Sequence, residues 1–253
     1  MNSVAIEKPK KTEDFVRYEF KYLLDAKSRE VVEREVSHFM DFDGHSHENL
    51  HHAYYVRSLY FENKETSRFY EKIDGVRSRT KFRIRTYGTT YALGLPIYLE
   101  EKNRNGDYVD KHRIPIDPEH LSLFCDPDKH WHLYDLYAGV DLVLKFLFGV
   151  LRREEKPMVL VDYIRRPYVS SYDMNFRVTF DSELTAVPSK ILFPANELVW
   201  KHSAAGYTVM EVKFFRRIPA WFHRIIQAHD MRRFSFSKFV RGLKICGLAT
   251  DFT

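Results

Sequence analysis

The chain has 253 residues, 44% of them hydrophobic with 20 Phe and 16 Tyr, which is ample material for one packed core. Its formal net charge of +5 is too mild to announce a nucleic-acid binder, and its two cysteines, Cys125 and Cys246, lie far apart without metal-ligand spacing. No segment approaches the roughly 18 apolar residues of a membrane span, so the expected setting is the reducing cytoplasm.

Residues 1–14 read as a disordered leader, with lysines but without the apolar stretch of a signal peptide, and residues 15–253 as one domain. Arg17, Glu19 and Lys21 then alternate with Tyr18, Phe20 and Tyr22, the period of a β-strand. Asp25 can cap a helix over 26–39. The loop over 41–52 holds His45, His47, His51 and His52, which lack regular zinc-site spacing and read as solvated. A strand over 55–62, a short helix over 63–72 and a turn at Asp74 and Gly75 follow.

The most informative segment comes next. Arg77, Arg79, Lys81, Arg83 and Arg85 occupy every second position, so one face of this strand is wholly basic while Phe82 and Ile84 lie on the other. Such a row of like charges suits only water or a polyanion. Glu100, Lys102 and Arg104 alternate in the following strand, and Asn105-Gly106 favours the positive φ of a tight turn that returns Lys111 and Arg113 beside them. A helical insertion is expected over 118–156; its most apolar part is interrupted by Asp135, Asp141 and Lys145, as suits an amphipathic helix. Further strands are expected over 158–166, 175–181 and 207–214, carrying Tyr163 and Arg165, then Arg177, Thr179 and Asp181, then Glu211 and Lys213. Helix signals return over 219–231 and near Lys238. Phe214, Phe215, Trp221 and Phe222 read as packing residues rather than a base-stacking platform.

One strand with a wet face means little, because most antiparallel sheets have one. So many in one chain predict convergence. The expected fold is α+β: an eight-stranded antiparallel β-barrel tunnel with a polar, basic lumen and helices packed outside.

The chain has no P-loop or dinucleotide-type glycine loop, no Gly-x-Ser-x-Gly and no Cys-x-x-Cys. What remains is a set of arginines, lysines and a few glutamates. Arginine forks bind phosphate bidentately, lysines add point charge, and a few carboxylates can hold a divalent ion that bridges phosphates. That inventory suits phosphoryl transfer, which asks a protein mainly for positioning and charge neutralisation.

Arg-Tyr-Glu-Phe-Lys-Tyr (17–22), Ser-Leu-Tyr-Phe (58–61), Lys-Phe-Arg-Ile-Arg-Thr-Tyr (81–87), Leu-Glu-Glu-Lys (99–102), Arg-Val-Thr-Phe-Asp (177–181), Glu-Val-Lys-Phe (211–214) and Phe-Ser-Lys-Phe (236–239) run in order along the chain. Together they resemble the VTC domain, the polyphosphate polymerase domain of the vacuolar transporter chaperone complex, within the triphosphate tunnel metalloenzyme superfamily. The resemblance implies a tunnel that binds a nucleoside triphosphate and polyphosphate. In it Lys21, Arg83, Arg85, Lys102, Arg165, Arg177, Lys213 and Lys238 would grip phosphates as the catalytic set. Arg17, Arg79, Lys81, Lys111 and Arg113 would extend the substrate-binding surface. Glu211 would be the principal ligand of a divalent metal, Mn²⁺ or Mg²⁺, with Glu19 and Glu100 in support.

The first strand reads Arg-x-Glu-x-Lys instead of Glu-x-Glu-x-Lys, which argues against the adenylyl cyclase and thiamine triphosphatase branch. The SPX domain and membrane spans of the eukaryotic complex have no counterpart here, and a membrane-protein partner is not visible in the sequence. The leading expectation is a metal-dependent polymerase that moves the ATP γ-phosphate onto polyphosphate and releases ADP, with no specific nucleic-acid partner. Two alternatives stay open: a tunnel-type triphosphatase or tripolyphosphatase in which Glu19 or Glu100 orients water, and a non-catalytic polyphosphate-binding module.

Overall fold

Period-two alternation becomes strand throughout. The computed structural model describes residues 18–43, 50–106, 108–173, 175–195 and 198–251; the expected leader, Arg17, His45 and His47 lie outside these residues. Ten strands form one antiparallel sheet: β1 (Tyr18–Asp25), β2 (Asp41–Phe42), β3 (Tyr54–Glu62), β4 (Ser78–Thr86), β5 (Ile97–Asn105), β6 (Tyr108–Pro115), β7 (Lys156–Val169), β8 (Arg177–Pro188), β9 (Lys201–His202) and β10 (Tyr207–Phe214). The hydrogen-bonded path is β1-β10-β8-β7-β3-β4-β5-β6, with the two-residue strands β2 and β9 attached to β7 and β8.

Eight strands thus make up the path, but a backbone ladder does not close it into the expected barrel. Among the described residues β1 and β6 do not pair. The outer edge of β1 is taken by a segment from the C-terminal part of the chain: Arg233 bridges Tyr22, and the Phe234 N–H donates to the Lys21 carbonyl at 2.8 Å. This contact occupies the part of the β1 edge at Lys21 and Tyr22 that β6 would otherwise pair with. The sheet nevertheless curls until β5 meets β1 through side chains, with Lys102 Nζ 3.5 Å from Glu19 Oε2.

Seven α-helices are described: α1 (Ala26–Ser37), α2 (Ser67–Ile73), α3 (Leu121–Cys125), α4 (His130–Leu136), α5 (Asp141–Arg153), α6 (Ala220–Ala228) and α7 (Lys238–Cys246). The Asp25 carboxylate caps α1 as expected, accepting from the Ser28 N–H at 2.7 Å. On the outer face, Leu59, Phe61, Phe82, Ile84 and Leu99 pack against Val143, Phe146 and Val150 of α5. Elsewhere on that face Tyr22, Phe180, Met210 and Val212 pack against Val32 and Val36 of α1 and Phe222 and Ile225 of α6. Full burial of each such side chain contributes about 1.5–3 kcal/mol, so the charged parity of every strand is forced to the other side. No helix is long and apolar enough to cross a membrane among the described residues.

One helix corrects the expectation that all would pack outside. Phe239, Val240 and Leu243 of α7 lie against Tyr60, Val159, Val161 and Val209, residues of the same parity as the charged inner face. Gly242 permits the approach, because a Cβ there would stand 2.8 Å from Val161 Cγ2. Ser237 caps α7 by accepting from the Val240 N–H, which fixes Lys238 in the first turn and aims it into the lumen.

Candidate active site in the charged lumen

The lumen carboxylates Glu19, Glu100, Asp181 and Glu211 each have cations beside them. Glu211 on β10 faces Lys21 of β1 directly across the ladder. Its Oε1 lies 2.8 Å from Lys238 Nζ and 3.4 Å from Lys21 Nζ, and its Oε2 lies 3.0 Å from Arg165 Nη2 and 3.7 Å from Lys213 Nζ. Asp181 on β8 completes this group: Arg165 donates to both its oxygens at 2.7 Å, and Lys238 Nζ is 2.5 Å away. Burial would raise both carboxyls, but Lys238, Lys21 and Arg165 around Glu211, and Arg165 and Lys238 beside Asp181, outweigh it and hold both below the usual carboxylate range.

A second group forms around Glu100, which has no exposed surface. It faces Arg83 across β4–β5 and Arg113 across β5–β6. Arg83 Nε and Nη2 reach Glu100 Oε2 at 2.7 and 2.6 Å, Lys111 Nζ reaches Oε1 at 2.5 Å, and Arg85 Nη1 stands 3.7 Å away. Burial opposes ionisation here too, and Arg83, Arg85 and Lys111 overcome it. Hydroxyls then aim the arginines: Arg83 donates to Tyr60 Oη at 3.1 Å, and Arg85 donates to Ser58 Oγ at 3.1 Å and to Tyr163 Oη at 3.2 Å. Glu19 forms the third group, 3.1 Å from Lys21 Nζ and 3.5 Å from Lys102 Nζ.

Two cavities adjoin in this lumen. One, of about 1120 Å³, is lined among others by Tyr54, Tyr87, Tyr108, Lys111, Arg113 and Arg177; the other, of about 540 Å³, by Lys21, Tyr60, Lys81, Glu211 and Lys238. They share a collar of Glu19, Arg83, Arg85, Lys102, Arg165 and Lys213. The expected catalytic set therefore gathers around one passage. Arg177 sits nearer the rim, paired with Asp43 at 2.7 Å, and the Arg113 guanidinium lies over the Tyr98 ring at 4.7 Å. Phe214 and Phe222 are buried as packing residues, whereas Phe215 lines the larger cavity. His52 stacks on Phe42 at 4.2 Å rather than standing free in solvent.

A family model for the VTC domain matches residues 16–246. The chain belongs to the VTC domain family. No curated protein matches it. Among solved structures this VTC domain is similar to a putative adenylate cyclase from Vibrio parahaemolyticus (9% identity, 90% of this chain and 98% of that one, TM-score 0.45). It is also similar to one from Bacillus halodurans (11%, 88% and 94%, 0.47) and to a putative adenylyl cyclase from Hippeastrum reported with a dominant triphosphatase activity (11%, 89% and 93%, 0.45).

The expected metal ligands of the VTC domain separate into two places. Among the described residues no group of three His, Cys, Asp or Glu converges on one metal position. Glu100 is apart, locked by Arg83 and Lys111. Glu19 and Glu211, in contrast, share one cation, the Lys21 ammonium, which stands 3.1 and 3.4 Å from them. Their oxygens have the hard donor chemistry of a divalent ion's ligands, but an ion held between them would have to displace the Lys21 ammonium.

Asp181, Tyr163, Tyr60 and Ser58 are the members of the site that sequence reasoning gave no role. Asp181 and Tyr163 stand in the alternating parity of Arg177 and Arg165, which was the available signal; the hydroxyl contacts of Tyr60 and Ser58 need the cross-strand register of β3 and β4.

Lys81 has no ion pair among the described residues, and Glu62 offsets its burial only in part. Its ammonium lies 4.0 Å over the Phe239 ring, and burial together with Arg79 lowers it to about 7. A lysine depressed in the folded state binds fewer protons than in the unfolded chain, so its penalty is full below pH 7 and fades as pH rises toward the unfolded lysine value. Burial lowers Lys111 to about 7 and Lys213 to about 8 as well, so the ligand-free domain should gain thermal stability from pH 7 to pH 9, and Lys81→Met should be more stable at pH 7 and reduce that rise without abolishing it. Melting curves across this range check both, and an unchanged pH slope in the variant would exclude Lys81 as one of the groups responsible.

Proposed function

We propose that this VTC domain is a metal-dependent polyphosphate polymerase that transfers the γ-phosphoryl group of ATP to the end of a polyphosphate chain and releases ADP. The observation that carries this reading is the state of the lumen carboxylates. Glu19, Glu100, Asp181 and Glu211 are all ion-paired and all held low, so each is a poor base near neutral pH. Hydrolysis is favoured by a side chain free to orient the attacking water. A polyphosphate end is already an oxyanion and needs none.

In the proposed step a terminal polyphosphate oxygen bonds to the γ-phosphorus while the bond from that phosphorus to the β,γ-bridging oxygen breaks, and ADP leaves with the electron pair. Arg83, Arg85, Arg165 and Lys102 in the collar neutralise the phosphoryl oxygens, with Lys21, Lys213 and Lys238 beside them. Glu211 and Glu19 would hold a divalent ion, which would supply charge neutralisation at the phosphates. Cytoplasmic ATP would be the donor.

Incubating the purified protein with ATP and Mn²⁺ or Mg²⁺ and resolving the products tests the proposal. Polyphosphate with equimolar ADP supports it. Orthophosphate as the only phosphate product would assign the domain to triphosphate hydrolysis, and unconsumed ATP with salt-sensitive polyphosphate binding would make it a binding module.

A further inference from the structure

Helix α5 is apolar on two sides. Leu142, Val143, Phe146, Leu147 and Val150 form its buried face and join the core over the sheet. Gly149 lets the helix sit that close, because a Cβ there would stand 2.8 Å from the Phe82 ring. Leu144, Phe148 and Leu151, spaced i, i+4 and i+7, make a second stripe that faces solvent, with Phe148 67% and Leu151 63% exposed. A helix with apolar residues on opposite sides is normally covered on both, yet among the described residues nothing covers this stripe.

The neighbouring helix enlarges the exposed surface. The His130 ring of α4 lies 5.5 Å from Phe146 of α5, and α4 leaves Trp131, Tyr134 and Leu136 more than half exposed. Six large apolar side chains on adjoining helices present on the order of 600 Å², the upper end of what a monomer shows and most of the roughly 800 Å² that each partner of a standard interface contributes.

Charge decides what the stripe fits. Asp141, Lys145 and Arg152 stand in the row beside it, all exposed, with Asp141 in the first turn of α5 and Arg152 in the last. Among the described residues neither Asp141 nor Arg152 has an ion-pair partner, and the Arg152 guanidinium lies over the Phe148 ring at 5.9 Å. A bilayer surface would call for bases without acids, whereas Asp141 here and Asp135 on α4 are both exposed. A second α5 running in the opposite direction supplies what is missing. A two-fold axis beside the middle of the helix sets Leu144 against Leu151 of the second copy, Phe148 near the axis, and Asp141 against Arg152 at both ends of the seam. The row is its own complement, as a two-fold interface requires.

We propose that this face of α5 is the interface of a homodimer, closed by an antiparallel α5 pair in which Asp141 of each copy meets Arg152 of the other. The proposal concerns assembly and does not depend on the reaction performed in the lumen.

Sedimentation velocity of the 253-residue chain across a concentration series tests it. Wild type should show an equilibrium between monomer and dimer. Phe148→Asp removes an apolar anchor from each copy and should weaken dimerisation about 100-fold or more, with a melting temperature near that of the wild-type monomer because Phe148 is exposed. Asp141→Arg and Arg152→Asp should each weaken it about tenfold, since each sets like charges face to face at both ends. Both native charges also suit the α5 dipole, so a reversal costs the helix some stability of its own. An equimolar mixture of the two single variants separates these effects. One copy then offers Arg at both positions and the other Asp at both, so a heterodimer of about wild-type affinity should form, which a loss of helix stability cannot produce. Wild type of monomer mass at every concentration would overturn the proposal, as would a dimer that survives Phe148→Asp or a mixture that stays monomeric. A monomer that instead binds anionic lipid vesicles through Phe148 would assign the face to a membrane and overturn it too.

Discussion

Glu211→Gln should lose stability and turnover together while keeping its affinity for polyphosphate. Glu211 is a buried carboxylate within 4 Å of Lys21, Arg165, Lys213 and Lys238, and replacing it leaves four cations to share Asp181 and Glu19. Breaking a buried ion pair by removing one partner costs about 3–5 kcal/mol, and each kcal/mol is worth about 2–4 °C in melting temperature for a chain of this size. Added polyphosphate brings back the missing negative charge, so ligand should raise the melting temperature of the variant more than that of wild type. Turnover should fall about 100-fold if Glu211 also holds the divalent ion, with partial recovery in excess Mn²⁺. A purely structural Glu211 predicts the same thermal loss with residual activity indifferent to metal concentration, and unchanged stability would contradict the charge network itself.

Arg83→Ala and Arg85→Ala should each weaken triphosphate binding roughly tenfold, since a charge-assisted contact is worth about 1.5–3 kcal/mol. Their effects on stability should differ. From the basic stripe alone, removing either arginine looks like relief of repulsion that spares the fold. The structure reverses this for Arg83, which makes the closest arginine contact to the fully buried Glu100 at 2.6 Å. Arg83→Ala should therefore lower the melting temperature, while Arg85→Ala, which releases two hydroxyl contacts and a 3.7 Å approach to Glu100, should do so less. The double variant Arg83→Ala/Glu100→Gln should regain stability without regaining affinity. Equal thermal losses in the two single variants would show that Glu100 is not the reason.

Which side chains face the lumen was legible because a strand has a period of two, and the parity of Lys21, Arg83, Arg165 and Glu211 needs only the local sequence. The bounds of β10 and the cap at Asp25 follow from equally local signals. Partnership was not legible. Whether Glu100 meets Arg83 or a metal ion depends on the register of β4 against β5, and register is a property of two strands and their turn. The same holds for Asp181, visible in its motif but without a role until Arg165 and Lys238 converge on it. The inward packing of α7 was hidden for another reason. An amphipathic helix declares an apolar face but not which side of a curled sheet will receive it, and only the fit of Gly242 against Val161 settles that. The contact of residues 233–234 on the β1 edge escaped notice because they carry no alternation that would mark them as its partner.

The central claim is that the acceptor in this lumen is a phosphate oxygen and not water, because Glu19, Glu100, Asp181 and Glu211, the carboxylates around the collar, are all ion-paired. Running the ATP reaction in water enriched in the heavy oxygen isotope, with polyphosphate present, and analysing every phosphate product by mass spectrometry tests it most directly. The account predicts ADP formation with the heavy isotope absent from the phosphate chain and no stoichiometric heavy orthophosphate. One heavy oxygen in orthophosphate for each ADP released would contradict it.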